Sequence, residues 1–76
     1  MKFLIINKIE QRVNEYQQLN GTSKKWIAEK VGISPSRMYQ IFKSEDMMLS
    51  VFIRFAIVLR CPIDDLFKVE ITEEDN

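Results

Sequence analysis

The chain has no histidine, one cysteine (Cys61), two prolines and two glycines in 76 residues. A metal site draws several ligands from His and Cys, and a disulfide framework needs paired cysteines, so both are excluded as organising features. General-base chemistry loses its commonest residue with the histidines, and no nucleophile–base pair stands in for it. No enzyme activity, cofactor or small-molecule substrate is therefore expected. Long apolar runs are lacking too. Phe3 to Ile6 is too short for a signal segment, which needs about seven to fifteen apolar residues. Met47 to Leu59 is broken by Ser50 and Arg54 and falls short of the roughly 20 residues of a membrane span. The lone cysteine fits a reducing compartment. A soluble, cytoplasmic chain with no membrane association is the expectation.

What is present is enough for one folded domain over residues 1–76. Apolar residues make up 46% of the chain, which separates it from disordered sequences. The size lies near the lower limit for a self-sufficient core. Net charge is formally zero, but its distribution is not even. Residues 1–43 carry eight Lys and Arg against three Glu, leaving +5; residues 44–76 carry three basic against eight acidic residues, leaving −5. A basic half is the electrostatic footprint of a polyanion-binding face.

The most informative stretch is Lys24 to Lys43. Ile27, Ala28 and Val31 form a narrow apolar stripe at helical period, and Gly32 ends that helix in the left-handed conformation that only glycine adopts without steric cost. Ser34 is a good N-cap and Pro35 a good first helical residue. A second helix thus starts at once, over about Pro35 to Phe42, with Met38 and Ile41 inward. Two helices joined so tightly cross steeply, the helix-turn-helix arrangement that places its second helix in the DNA major groove.

The rest of the chain supports this pair. Asn7 to Leu19 reads as helix 1, with Ile9, Val13 and Tyr16 on one face and Gly21 at its end. Thr22 or Ser23 caps helix 2. Met47 to about Arg60 reads as helix 4, with Leu49, Phe52, Ile53, Ala56 and Leu59 as its core stripe. Pro62 opens a short helix 5 through Phe67. Phe67, Val69 and Ile71 alternate with polar residues in the manner of a strand. Met1 to Ile6 either pairs with that strand or extends helix 1. Glu73 to Asn76 reads as a frayed acidic tail. Trp26 either packs over helix 1 near Tyr16, the preferred reading, or stacks on a sugar-phosphate edge.

On these residues the chain resembles the Cro and phage-repressor (Xre-like) helix-turn-helix family. The matching pieces are Gly21, the run Ser23 to Ser34, Met38 and Ile41, Phe55-Ala56 with Leu59, and Cys61 to Phe67. The match covers about Asn7 to Phe67. The resemblance implies an all-α, five-helix lambda-repressor-like domain, here with short terminal β-strands as an option. Its core lies over about 7–67, with 68–76 as a C-terminal extension. It implies a homodimeric transcriptional regulator, usually a repressor, acting on double-stranded DNA.

Carried over by position, the resemblance gives Ser36, Arg37, Tyr39 and Gln40 the base-reading side of helix 3, and Ser23, Lys24, Ser34 and Lys43 the phosphate contacts. The chemistry agrees. Gln can take adenine bidentately, Arg can take guanine O6 and N7, and helix N-termini favour anions. Pro35 replaces an often polar position, and Arg60 the usual Gly before the last helix. Gln17 and Phe42 stand where many relatives carry a buried Arg–Glu pair; their joint replacement avoids an unpaired buried charge. Glu45 and Asp46 stand where basic residues are common.

Helix 4 holds more apolar residues than one stripe needs. Val51, Ile57 and Val58 lie off the expected stripe, with Met47 and Met48 beside them, and such excess marks a dimer or partner surface. It also motivates a second reading of another class: a protein-interaction module, antirepressor or co-regulator, docking on a transcription factor.

Overall fold

The computed structural model describes residues 1–72; the expected acidic tail, 73–76, lies outside the described residues. The chain is mostly helical with one two-stranded antiparallel sheet. In order it runs β1 (Lys2–Asn7), α1 (Ile9–Asn20), α2 (Lys24–Val31), α3 (Pro35–Phe42), α4 (Leu49–Leu59), a single 3₁₀ turn (Ile63–Leu66) and β2 (Phe67–Thr72). The expected fifth helix is this 3₁₀ turn, which passes directly into β2. The two strands are the terminal pair that the alternation suggested. They pair in the register Lys2 with Thr72 through Asn7 with Phe67.

One core joins all the helices. Ile9 and Val13 of α1, Ile27, Ala28 and Val31 of α2, Met38, Ile41 and Phe42 of α3, Phe52, Phe55 and Leu59 of α4, and Leu66 of the 3₁₀ turn are buried together, with no polar or charged residue among them. Arg12 ties α1 to the 3₁₀ turn at the surface, donating to Glu15 at 2.9 Å and facing Asp65 at 3.8 Å.

Helix 1 starts later than the sequence pattern suggests, because Asn7 is spent otherwise. It ends β1, and its carboxamide joins three elements. Its Oδ1 accepts from the Ile9 N–H at 2.9 Å, capping α1. Its Nδ2 donates to the Ile41 carbonyl at 2.7 Å and the Ser44 carbonyl at 2.9 Å, two acceptors at the end of α3. Helix ends leave these groups without intrahelical partners, so a side chain that serves two ends at once fixes their relative position.

Helix 4 corrects the expected phase. Its buried positions are Phe52, Phe55 and Leu59, while Leu49 and Ile53, placed in the core from sequence, are exposed at 63% and 44%. The aromatic rings decide the rotation. Phe55 fills the centre of the core, and Phe52 meets Phe67 of β2 with ring centroids 5.2 Å apart. Turning Leu49 and Ile53 inward would displace the two largest side chains of the helix.

Arg60 ends α4 at φ 55°, the only non-glycine in the left-handed region among the described residues; Gly21 (φ 67°) and Gly32 (φ 90°) occupy that region at the ends of α1 and α2. A side chain there costs about 1–2 kcal/mol, and glycine's extra freedom when unfolded returns about 0.5–1. Arg60→Gly is expected to stabilise the fold by about 0.5–1 kcal/mol, a rise in Tm of a few degrees for a domain of this size. Gly32→Ala should lower it. Asn7→Ala should cost about 1–3 kcal/mol in urea unfolding, since it strips partners from an N–H and two carbonyls. Asn7→Asp should not rescue it, because a carboxylate cannot donate to those carbonyls.

Candidate nucleic-acid interface

The turn between α2 and α3 is closed by backbone bonds. The Gly32 N–H donates to the Ala28 and Glu29 carbonyls, and the Ile33 N–H reaches back to Ala28 at 3.0 Å. That back-bonded ending requires a left-handed residue, which Gly32 supplies. Ser34 follows in extended conformation, and its Oγ accepts from the Arg37 N–H at 3.1 Å to cap α3, with Pro35 at the first turn. Ser23 does the same for α2, accepting from the Trp26 N–H at 3.0 Å. Both expected caps are thus in place, Ser23 rather than Thr22 for α2.

Helix 3 divides sharply by face. Met38, Ile41 and Phe42 are buried, whereas Ser36, Arg37, Tyr39 and Gln40 are all exposed. The four base-reading candidates therefore share one open, polar flank above an apolar anchor. Arg37 Nη1 donates to Gln40 Oε1 at 3.4 Å, which brings the forked donor and the carboxamide to adjacent positions. Tyr39 is held edge-on against Phe42, centroids 5.7 Å apart, which aims its ring while leaving it accessible.

The phosphate candidates lie at helix ends. Ser23 and Ser34 cap α2 and α3, Lys24 opens α2, and Lys43 is exposed at the C-terminal end of α3. Lys24 is positioned by α1: its Nζ donates to Gln17 Oε1 at 2.9 Å, and Gln17 Nε2 donates to the Thr22 carbonyl at 3.1 Å. Gln17 thus satisfies a loop carbonyl and holds a cation at the N-terminal end of α2. Phe42 is buried in the core. Trp26 stacks on Tyr16, planes 10° apart, with the Lys30 ammonium 5.6 Å from its ring. Its role is to pack α2 on α1, as preferred from the sequence.

The expected partner surface on α4 needs redrawing. Met48 and Ile57 are exposed, but Met47, Val51 and Val58 pack partly against the core. The rotation fixed by Phe52 and Phe55 turns those valines toward the flanks of the core and puts Leu49 and Ile53 in their place. The exposed ridge is therefore Met48, Leu49, Ile53 and Ile57. Asn7 and Gln17 are residues the sequence reading did not assign to the site. Asn7 carried a usable signal, since Asn two positions before an apolar-periodic run is a helix-start mark.

No family model, curated protein or solved structure matches the chain. Among the described residues no cluster of His, Cys, Asp and Glu could hold a metal ion, and no helix is long and apolar enough to cross a membrane.

Proposed function

We propose that the protein is a sequence-specific, double-stranded-DNA-binding transcriptional regulator of the Cro and phage-repressor type, a lambda-repressor-like domain that acts in the cytoplasm as a homodimer. One observation carries this reading: Ser36, Arg37, Tyr39 and Gln40 stand together on the open flank of a short helix whose other side is sunk in the core. In a major groove, Gln40 and Arg37 supply the bidentate geometries that suit adenine and guanine. Ser23, Lys24, Ser34 and Lys43 offer hydroxyl, ammonium and helix N-terminal donors to phosphates on either side, which set the register without reading sequence. Two copies related by a two-fold axis would read half-sites about 34 Å apart. Occupancy of such an operator represses by excluding polymerase, an activity that needs no second domain.

The ridge of Met48, Leu49, Ile53 and Ile57 favours a second reading, in which the same fold docks on another protein. Salt-dependent binding to random duplexes separates the two. A DNA reader binds them weakly and loses affinity steeply as salt rises, whereas a docking module does not bind them.

Two substitutions test the interface. Gln40→Ala should cost about 1–3 kcal/mol on a selected operator and relax preference at one base pair. Lys24→Ala should weaken binding to all duplexes alike and reduce the salt slope by about one. If neither variant changes binding to a selected operator, α3 does not carry the contact surface.

A further inference from the structure

The hollows around α4 differ in chemistry. One, of about 140 Å³, lies under the terminal ribbon of β1 and β2 and is lined by apolar side chains, among them Ile5, Phe52 and Phe67. Another lies over Ile53, Ile57 and Ile63; it is shallow, and its lining is almost wholly apolar. A cleft of about 580 Å³ between the C-terminal half of α1 and the end of α4 is within the size range of small-ligand sites. This cleft combines apolar walls with several polar groups, the composition that orients a ligand as well as holding it.

Its parts are fixed. Leu59 belongs to the buried core and forms the floor. Tyr16 packs against that core and stacks on Trp26, so its ring is held. Asn20 Nδ2 donates to the Tyr16 carbonyl at 3.0 Å, and Leu19 stands at the rim, 84% exposed. Arg12 also lines the cleft, but its charge is matched by Glu15 at 2.9 Å and Asp65 at 3.8 Å. Arg60 is different. Its side chain makes no hydrogen bond and no ion pair among the described residues, and its backbone sits in the left-handed region at φ 55°. An arginine there carries a steric cost that glycine escapes. Backbone outliers of this kind cluster where a side chain serves a ligand.

We infer that this cleft binds a small amphiphilic monocarboxylate. The apolar body lies on Leu59, Leu19 and the Tyr16 ring, and the carboxylate takes the paired donors of the Arg60 guanidinium. One unmatched cation suits one negative charge. Glu15, in the same lining, opposes a second, which sets a carboxylate apart from a phosphate dianion. The site goes beyond the proposed function. It is separate from the open flank of α3 and stands whether or not that flank meets DNA.

The probes are phenylacetate and octanoate, titrated into the full chain and followed by amide chemical shifts and calorimetry. Both should bind saturably, with the largest shifts at Tyr16, Leu19, Asn20 and Arg60. Phenylethanol and octanol, which have similar apolar bodies without the charge, should bind about tenfold more weakly, and so should phenyl phosphate. Arg60→Gly should weaken both carboxylates about tenfold, the loss of one charge-assisted contact, while raising Tm. An arginine that served only the fold would not give that opposition. Leu19→Asp, at an exposed position, should weaken binding similarly by placing a carboxylate in the cleft; Ile57→Asp, in the hollow on the other side of Arg60, should leave it unchanged. Absence of saturable binding by both carboxylates overturns the site. So does undiminished binding in Arg60→Gly, or a loss in Ile57→Asp that Leu19→Asp does not share. Alcohols or phenyl phosphate that bind as well as the carboxylates overturn the ligand class. None of these measurements depends on DNA binding by Gln40 or Lys24.

Discussion

The carboxamide of Asn7 is the constraint on which the arrangement of this small domain depends. A core of this size fixes helices against sliding less firmly than a larger one, because it has few interdigitating layers. Hydrogen bonds with definite geometry supply what the apolar contacts leave soft. Asn7 accepts from the first turn of α1 and donates to Ile41 and Ser44 where α3 ends. It is also the last residue of β1, paired with Phe67. Three elements distant in sequence thus share one planar group, and α3 cannot tilt away from the body without breaking two of its bonds. Held at this end, α3 presents its exposed side chains in a constant position relative to the core.

The other end of α3 is held by different means. The Gly32 turn, the Ser34 cap and Pro35 are all local, and they set where the helix starts independently of the core. Met38, Ile41 and Phe42 then fix its rotation. With start, end and rotation determined, the outward flank has no freedom to be anything but Ser36, Arg37, Tyr39 and Gln40. The charge asymmetry follows the same division of the chain. Seven of the eight basic residues of the first half lie on or next to α1 to α3, with Lys2 in β1, and the acidic excess begins at Glu45, just past the helix that Asn7 anchors.

Much of this was legible in the sequence because the signals are short-range. Caps, left-handed glycines and a prolyl first turn act within four or five residues, so α2 and α3 are found at the bounds the residues suggest. The alternation of Phe67, Val69 and Ile71 likewise suggested β2, while the β-favouring start of the chain read equally as its partner or as an extension of helix 1 until the register settled it. Helix 4 shows where such reasoning fails. Leu49-Ser-Val-Phe-Ile-Arg-Phe-Ala-Ile-Val-Leu has apolar residues on nearly every side, so helical period alone offers several stripes of similar quality. The choice among them is tertiary. Phe52 turns toward Phe67, fifteen positions on, and Phe55 occupies the centre of a core built by four other segments. Asn7 was missed for a related reason. Its cap of α1 is local and visible, but its bonds to the end of α3 span more than thirty residues.

The corrected phase of α4 also changes which surface can serve a partner. With Val51 and Val58 against the core, the remaining apolar ridge runs from Ile57 through Ile53 to Leu49 and so leads to the hollow under the ribbon rather than away from it. Ridge and ribbon face then form one connected apolar surface, bounded by Asn7 on the side of α3. The ribbon and α3 are joined by a single residue: β2 is hydrogen-bonded to β1, and β1 ends in the side chain that fixes α3. No flexible linker lies between the ribbon and α3, because the carboxamide of Asn7 joins them directly.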